Sequence, residues 1–200
     1  MRLICYTELE NALSPTDMGR KLNEHLQTIA NPARRRDSHC VWGLLALALR
    51  ESGIALGTVE FLPSGKPVFA NRRVEFSLSH GGALCAVALS DAPVGVDVEP
   101  ASRLLSPALS VRLRTPMERA ANISDIALWC AKEALVKRDG GGWKVRPDQV
   151  DTTTEAEWFC QTVADSGGNA HMLAAAFSNK TEPIRWAHWN GRTKQWESSL

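Results

Sequence analysis

The sequence predicts an α+β fold, and three observations predict it. Two segments repeat apolar residues at helical spacing, a long central run alternates at strand spacing, and the tail holds two further strand candidates around a polar turn.

In order along the chain, residues 35–52 read as a helix because Val41, Leu44, Leu45, Ala48 and Leu49 recur at helical spacing and Gly53 follows as a stop. The basic run Arg34, Arg35 and Arg36 lies at its entrance. After a loop with Pro63, Gly65 and Pro67, residues 74–98 read as strands: Phe76 and Leu78 alternate, 84–89 is nearly all apolar, and Val94, Val96 and Val98 alternate again. A turn at Asp91, Ala92 and Pro93 joins the last two. Between 101 and 115, Pro107 and Pro116 break any helix, yet Leu104, Leu105, Leu109, Val111 and Leu113 are too apolar for an ordinary solvated linker. A second helix spans 124–138 and ends at Gly140, Gly141 and Gly142. Strands are expected at 157–163 and 172–177, about the turn Asp165-Ser166-Gly167-Gly168. The stretches His80 to Ser90 and His171 to Ser178 echo each other, each a His followed by small apolar residues and closing on Ser, which fits either two related halves or the common composition of buried strands.

Composition bounds the function. With 44% hydrophobic and 22% charged residues the chain can bury a sizeable core. A net charge of +1 and a pI near 7.7 supply no global field toward nucleic acid or an anionic membrane, so any attraction to an acidic partner is local. Five cysteines, Cys5, Cys40, Cys85, Cys130 and Cys160, are odd in number and never spaced CxxC, which argues against a disulfide framework or a zinc cluster and for a reducing compartment. Uninterrupted apolar stretches stay short of secretory or membrane-spanning length, so the expectation is a soluble, cytoplasmic protein.

The residues that carry chemistry fall into three sets. In Gly95-Val96-Asp97-Val98-Glu99 a strand places both carboxylates on one face and the valines on the other. Trp129, Glu133 and Lys137 form one stripe of the second helix at i, i+4 and i+8, with Leu128 and Lys132 close by. Taken singly, these are an edge strand with a solvated face and a surface ion pair; together, three carboxylates become reasonable if a hard cation lies between them, since Mg2+ takes oxygen ligands and keeps room for substrate phosphate. Ser79 and His80, leading into Gly81 and Gly82, offer an imidazole and backbone N–H groups for phosphate, and Lys66 in the Gly65-Lys66-Pro67 loop adds a cation.

Read in order, Gly65-Lys66-Pro67, Phe76-Ser77-Leu78-Ser79-His80, Gly95 to Glu99 and Trp129 to Lys137 resemble the 4'-phosphopantetheinyl transferase superfamily, the last two blocks matching its GxDxE and WxxKEAxxK signatures. Length and layout resemble the monomeric surfactin-type branch and its short bacterial holo-acyl-carrier-protein synthases. The resemblance implies two similar, pseudo-symmetric halves, each a small, mostly antiparallel sheet packed with helix, here residues 1–101 and 102–200, with the active site between them. It implies that Asp97, Glu99 and Glu133 bind Mg2+ or Mn2+, that Glu133 helps deprotonate the attacking serine, and that Lys137 neutralises the pyrophosphate. Lys66, Ser79, His80 and Lys137 would contact coenzyme A, His80 at the 3'-phosphate, while Lys132 is either a phosphate contact or structural. The partners implied are coenzyme A as co-substrate and an apo acyl or peptidyl carrier protein, with no nucleic acid, no membrane and a monomeric state.

The chain departs from the family where an aspartate is commonly followed three residues later by arginine: Asp37 is present, but Cys40 replaces the arginine, and Arg34, Arg35 or Arg36 would substitute. Between the motifs, Arg103, Arg112, Arg114 and Arg119 interleave with Leu104, Leu105, Leu109, Leu113 and Met117, which suits an acidic amphipathic helix of a carrier, or else a loop whose leucines cover the core. Cys85 and Cys130 read as core. Trp143, Trp158, Trp186, Trp189 and Trp196 read as packing or interface residues without chemistry. Two rival functions remain: a metal-dependent phosphohydrolase using the same carboxylates on water, and a binding module that keeps coenzyme A or carrier but not turnover.

Overall fold

The computed structural model describes residues 1–11, 19–154, 157–179 and 182–198. Its elements run β1 (Arg2–Glu8), α1 (Arg20–Thr28), α2 (Pro32–Glu51), β2 (Val59–Phe61), β3 (Pro67–Phe69), β4 (Glu75–Gly81), β5 (Leu84–Ser90), β6 (Val94–Pro100), α3 (Pro107–Val111), α4 (Asp125–Asp139), β7 (Trp158–Ala164), β8 (Ala170–Phe177), β9 (Arg185–Asn190) and β10 (Gln195–Ser198). The fold is mixed α+β, as expected.

Three sheets form: β10-β9-β1-β5-β4, β6-β8-β7 and the hairpin β2-β3. All pairings are antiparallel except β1 with β9. Three apolar clusters stack the layers. Leu3, Cys5, Val87 and Leu89 face Leu44, Leu45 and Leu49 of α2; Ile4, Ala86 and Ala88 meet Val94, Val96, Val98 and Phe177 between the two larger sheets; Ala174 and Ala176 face Cys130, Ala134 and Leu135 of α4. The order is thus helix, sheet, sheet, helix. Because β6 alternates, Val94, Val96 and Val98 enter the middle cluster, and Gly95, Asp97 and Glu99 turn toward α4.

At β4 and β6 the two sheets converge. Val96 N–H donates to Ser77 Oγ at 3.0 Å and Val98 N–H to Ser79 Oγ at 3.4 Å, so serine hydroxyls stand where a neighbouring strand's carbonyls would otherwise be. Gly81 is required at this seam, since a Cβ there would lie 2.2 Å from the Val98 carbonyl oxygen. Gly95 is required on the other face: its Cβ would lie 1.8 Å from the Ala134 carbonyl oxygen, so only glycine lets β6 and α4 approach this closely.

Two sequence expectations are corrected, and one open reading is narrowed. The first long helix begins at Pro32, because Asn31 caps it through Oδ1 to the N–H groups of Ala33 and Arg34 and proline suits the first helical position, so the arginine run lies inside the first turns. Pro107 likewise starts the short helix α3 under a Ser106 cap, where a helix break was expected. The echo between His80–Ser90 and His171–Ser178 fails in register: counted back from each Ser, Leu89 faces α2 while Phe177 lies between the sheets, and residues one step out of phase occupy opposite faces.

Candidate active site

Helix α4 lies across the outer face of β6. Ser124 caps its start by accepting from Ala127 N–H, and Gly140 ends it in the left-handed region at φ 70°. This brings the two motif sets together. Lys137 Nζ donates to Asp97 Oδ1 at 2.6 Å, to Ser79 Oγ at 3.1 Å and to the Val96 carbonyl at 3.2 Å, and Ser79 Oγ donates to the same Asp97 oxygen at 2.8 Å. Asp97 and Ser79 are buried, Lys137 partly so.

Asp97 Oδ2 is buried and has no hydrogen-bond partner. A buried carboxylate oxygen without a donor is costly, and a cation beside it would remove that penalty. Glu99 and Glu133 are half-buried on the same side. Burial first, and then the Asp97 charge, push the Glu99 carboxyl above its usual range. Burial pushes Glu133 up as well, with the Trp143 indole and the Lys137 ammonium opposing and Asp97 adding to the rise. Each has one donor already: Arg103 Nη1 on Glu99 Oε1, and Trp143 Nε1 on Glu133 Oε1 at 2.9 Å. Among the described residues no group of three or more His, Cys, Asp and Glu is placed so that it could hold a metal ion. The orphaned Asp97 oxygen and the mutual repulsion of the three carboxylates nevertheless fit an oxygen-ligated divalent ion.

Beside this cluster lies a pocket of about 230 Å3 whose lining includes Lys66, Ser77, Glu133, Lys137 and Trp143. Lys66 and Lys137 both contribute to its wall. Lys66 Nζ also donates to the carbonyls of Val94 and Arg138, at 3.3 and 3.1 Å, so it ties the β2-β3 hairpin to β6 and α4, and burial lowers its pKa. Ser79, His80, Asp97 and Glu99 do not line this pocket. His80 follows Ser79 on β4 and therefore takes the opposite face, the α2 side; burial lowers its pKa, and Asp37 and Arg34 of α2 act on it. Arg36 and Cys40 line a separate hollow of about 530 Å3, which also carries Glu8, Glu10 and Asp165.

Lys132, open between two roles in the sequence, is structural. Its side chain is fully buried and donates to Glu118 Oε2 at 2.6 Å and to the carbonyls of Pro147 and Val150. Burial raises the Glu118 carboxyl, but Lys132 and the N–H groups of Thr152 and Thr115 outweigh it and hold the group below its usual value. The arginine-rich segment also divides. Arg114 donates to Asp125 and to the carbonyls of Glu118 and Ile123, and Leu113 is fully buried, so both hold the segment in place. Arg112, Arg119, Leu104, Val111 and Met117 face outward, as does Arg103, which is held by Glu99.

Sequence reasoning missed three partners. Trp143 was assigned to packing and is bonded to Glu133; Ser77 is a seam residue; Arg103 is bonded to Glu99. Only Arg103 had a signal, four residues after Glu99, where one turn of chain reaches back. Cys85 and Cys130 are core, as expected, and burial pushes both thiols up. Among the described residues no helix is long and apolar enough to cross a membrane. No protein-family model and no curated protein matches the chain.

Proposed function

We propose that the chain is a 4'-phosphopantetheinyl transferase, moving phosphopantetheine from coenzyme A to a serine of an apo acyl or peptidyl carrier protein and releasing 3',5'-ADP. The observation that carries this reading is the junction of α4 and β6: Lys137 bonded to Asp97, with the second Asp97 oxygen buried and unpartnered beside Glu99 and Glu133. An acidic cluster with an ordered lysine suits transfer between phosphate esters, which needs alignment and charge neutralisation more than covalent catalysis.

Asp97, Glu99 and Glu133 would hold Mg2+ or Mn2+. When bound, the ion would neutralise pyrophosphate oxygens. The serine Oγ of the carrier attacks the phosphorus bearing the pantetheine arm, a new P–O bond forms, and the pyrophosphate P–O bond to 3',5'-ADP breaks. Glu133 accepts the serine proton; burial raises its pKa in the sense that makes it a better base. Lys137 and Lys66, which both contribute to the pocket wall, would supply positive charge to the phosphates, and Ser79 keeps Asp97 oriented. His80, on the α2 face of β4, is the candidate for the 3'-phosphate, with Arg34 or Arg36 in place of the arginine that Cys40 lacks.

Two similar halves are supported by chain order. A strand, a helix and a hairpin recur as β1, α2, β4-β5 and as β6, α4, β7-β8, with strand orders β1-β5-β4 and β6-β8-β7. In sheet terms β6 goes with the second set, since it pairs with β8, while β9 and β10 from the end of the chain join the first beside β1.

The test is incubation of the purified protein with coenzyme A, Mg2+ and a panel of apo carrier proteins, followed by mass spectrometry of the carrier serine. Transfer abolished by chelator is expected. Release of phosphopantetheine or phosphate without carrier would instead identify a hydrolase, and coenzyme A binding without either product a binding module.

A further inference from the structure

Beyond α4 the chain reverses over its own functional stripe. Gly140 takes φ 70° and Gly142 φ 65°, conformations that side chains with a Cβ rarely adopt, and Trp143 is laid back along the helix. Its ring stacks on Trp129 with centroids 5.4 Å apart and planes 11° from parallel, and its Nε1–H donates to Glu133 Oε1 at 2.9 Å. Trp129, Glu133 and Lys137 are successive i+4 neighbours, so one indole spans the first two while lining the pocket that Lys137 shares.

The terminal torsion of a glutamate is broad and roughly two-fold, so an unheld carboxylate exchanges its oxygens freely. An indole N–H is a donor only, and here the stack on Trp129 fixes its direction. We propose that Trp143 is a positioning residue for Glu133: it occupies Oε1, and so commits Oε2 to the cation and to the serine proton. The contact stands on geometry alone; the task given to Oε2 rests on the transferase reading.

Phenylalanine at 143 would keep the ring, the stack and the pocket wall while removing the donor. Two measurements on the full chain separate the contact from its purpose. In a 1H–15N spectrum of the seven indoles, the Trp143 signal is the one lost in Trp143→Phe, and Glu133→Ala is expected to shift it; an unmoved signal overturns the contact. Titration with Mn2+ alone, followed by its paramagnetic resonance, is expected to give about tenfold weaker binding for Trp143→Phe at an unchanged melting temperature, the scale typical when a group that orients a metal ligand is lost. Turnover with apo carrier is expected to fall comparably at constant KM for coenzyme A. Equal Mn2+ affinity and equal kcat in Trp143→Phe overturn the positioning role. A wild-type protein that neither binds Mn2+ nor transfers sinks the transferase reading, and the indole spectrum then decides the clasp on its own.

Discussion

Lys137 Nζ and Asp97 Oδ1 lie 2.6 Å apart, the ammonium from the last turns of α4 and the carboxylate from the middle of β6. Removing the lysine strands a buried acid with only Ser79 as donor. Lys137→Ala is expected to lower stability by about 1–3 kcal/mol in urea unfolding, less than for a fully buried pair because the lysine side chain is 30% exposed. Its turnover should fall on the order of 10²-fold or more. Asp97→Ala should abolish metal-dependent transfer while remaining folded; near-normal turnover in that variant would rule out the metal assignment.

Gly95→Ala tests the contact between helix and strand. An added methyl at 1.8 Å from a carbonyl oxygen has no flexible neighbour to displace, so β6 and α4 must separate. A loss of about 1–3 kcal/mol or more is expected, together with loss of activity, since Asp97 and Lys137 would part. Wild-type melting behaviour in Gly95→Ala would show that the approach is looser than described.

The Lys132–Glu118 pair makes a prediction about acid. Glu118 has a depressed folded pKa, so its stabilisation is present above the ordinary glutamate value of about 4.3 and is lost as pH falls through the lower folded value. Glu118→Gln leaves Lys132 buried without its counter-charge and is expected to cost about 3–5 kcal/mol near neutrality. It should also flatten the fall in urea midpoint below about pH 4. A variant as stable as wild type at pH 7 would contradict the assignment.

In the segment between the motifs, Arg112→Glu with Arg119→Glu is expected to weaken carrier binding and reduce its salt dependence at constant melting temperature. Arg114→Glu is expected to lower the melting temperature, because it breaks the contacts to Asp125, Glu118 and Ile123. Unchanged carrier affinity in the double variant would dismiss this surface as the docking site.

The parts of the fold legible in the sequence are those with a period. Residues 124–138 and 94–98 were placed to within two residues because helical spacing, a glycine stop and strict alternation agree. Strand β1 is buried at all seven positions and so shows no alternation, and β9 and β10 join it from the far end of the chain. The pairing of β6 with β8 is equally non-local. The site was legible where spacing fixes it: Asp97 with Glu99, and Glu133 with Lys137. The bond from Lys137 to Asp97 depends on how α4 crosses β6, and the one from Trp143 to Glu133 on the direction in which Gly140 and Gly142 turn the chain, which the glycines alone do not specify.

The serine seam has a consequence for self-association. A bare strand edge is a template on which another chain can add. β4 ends one sheet and β6 ends the other, and Ser77 and Ser79 cover the Val96 and Val98 donors of β6 with hydroxyls rather than with a further strand. The acidic pair can therefore lie on an outermost strand, packed against α4, while that strand's Val96 and Val98 donors are already closed to a second copy of the protein.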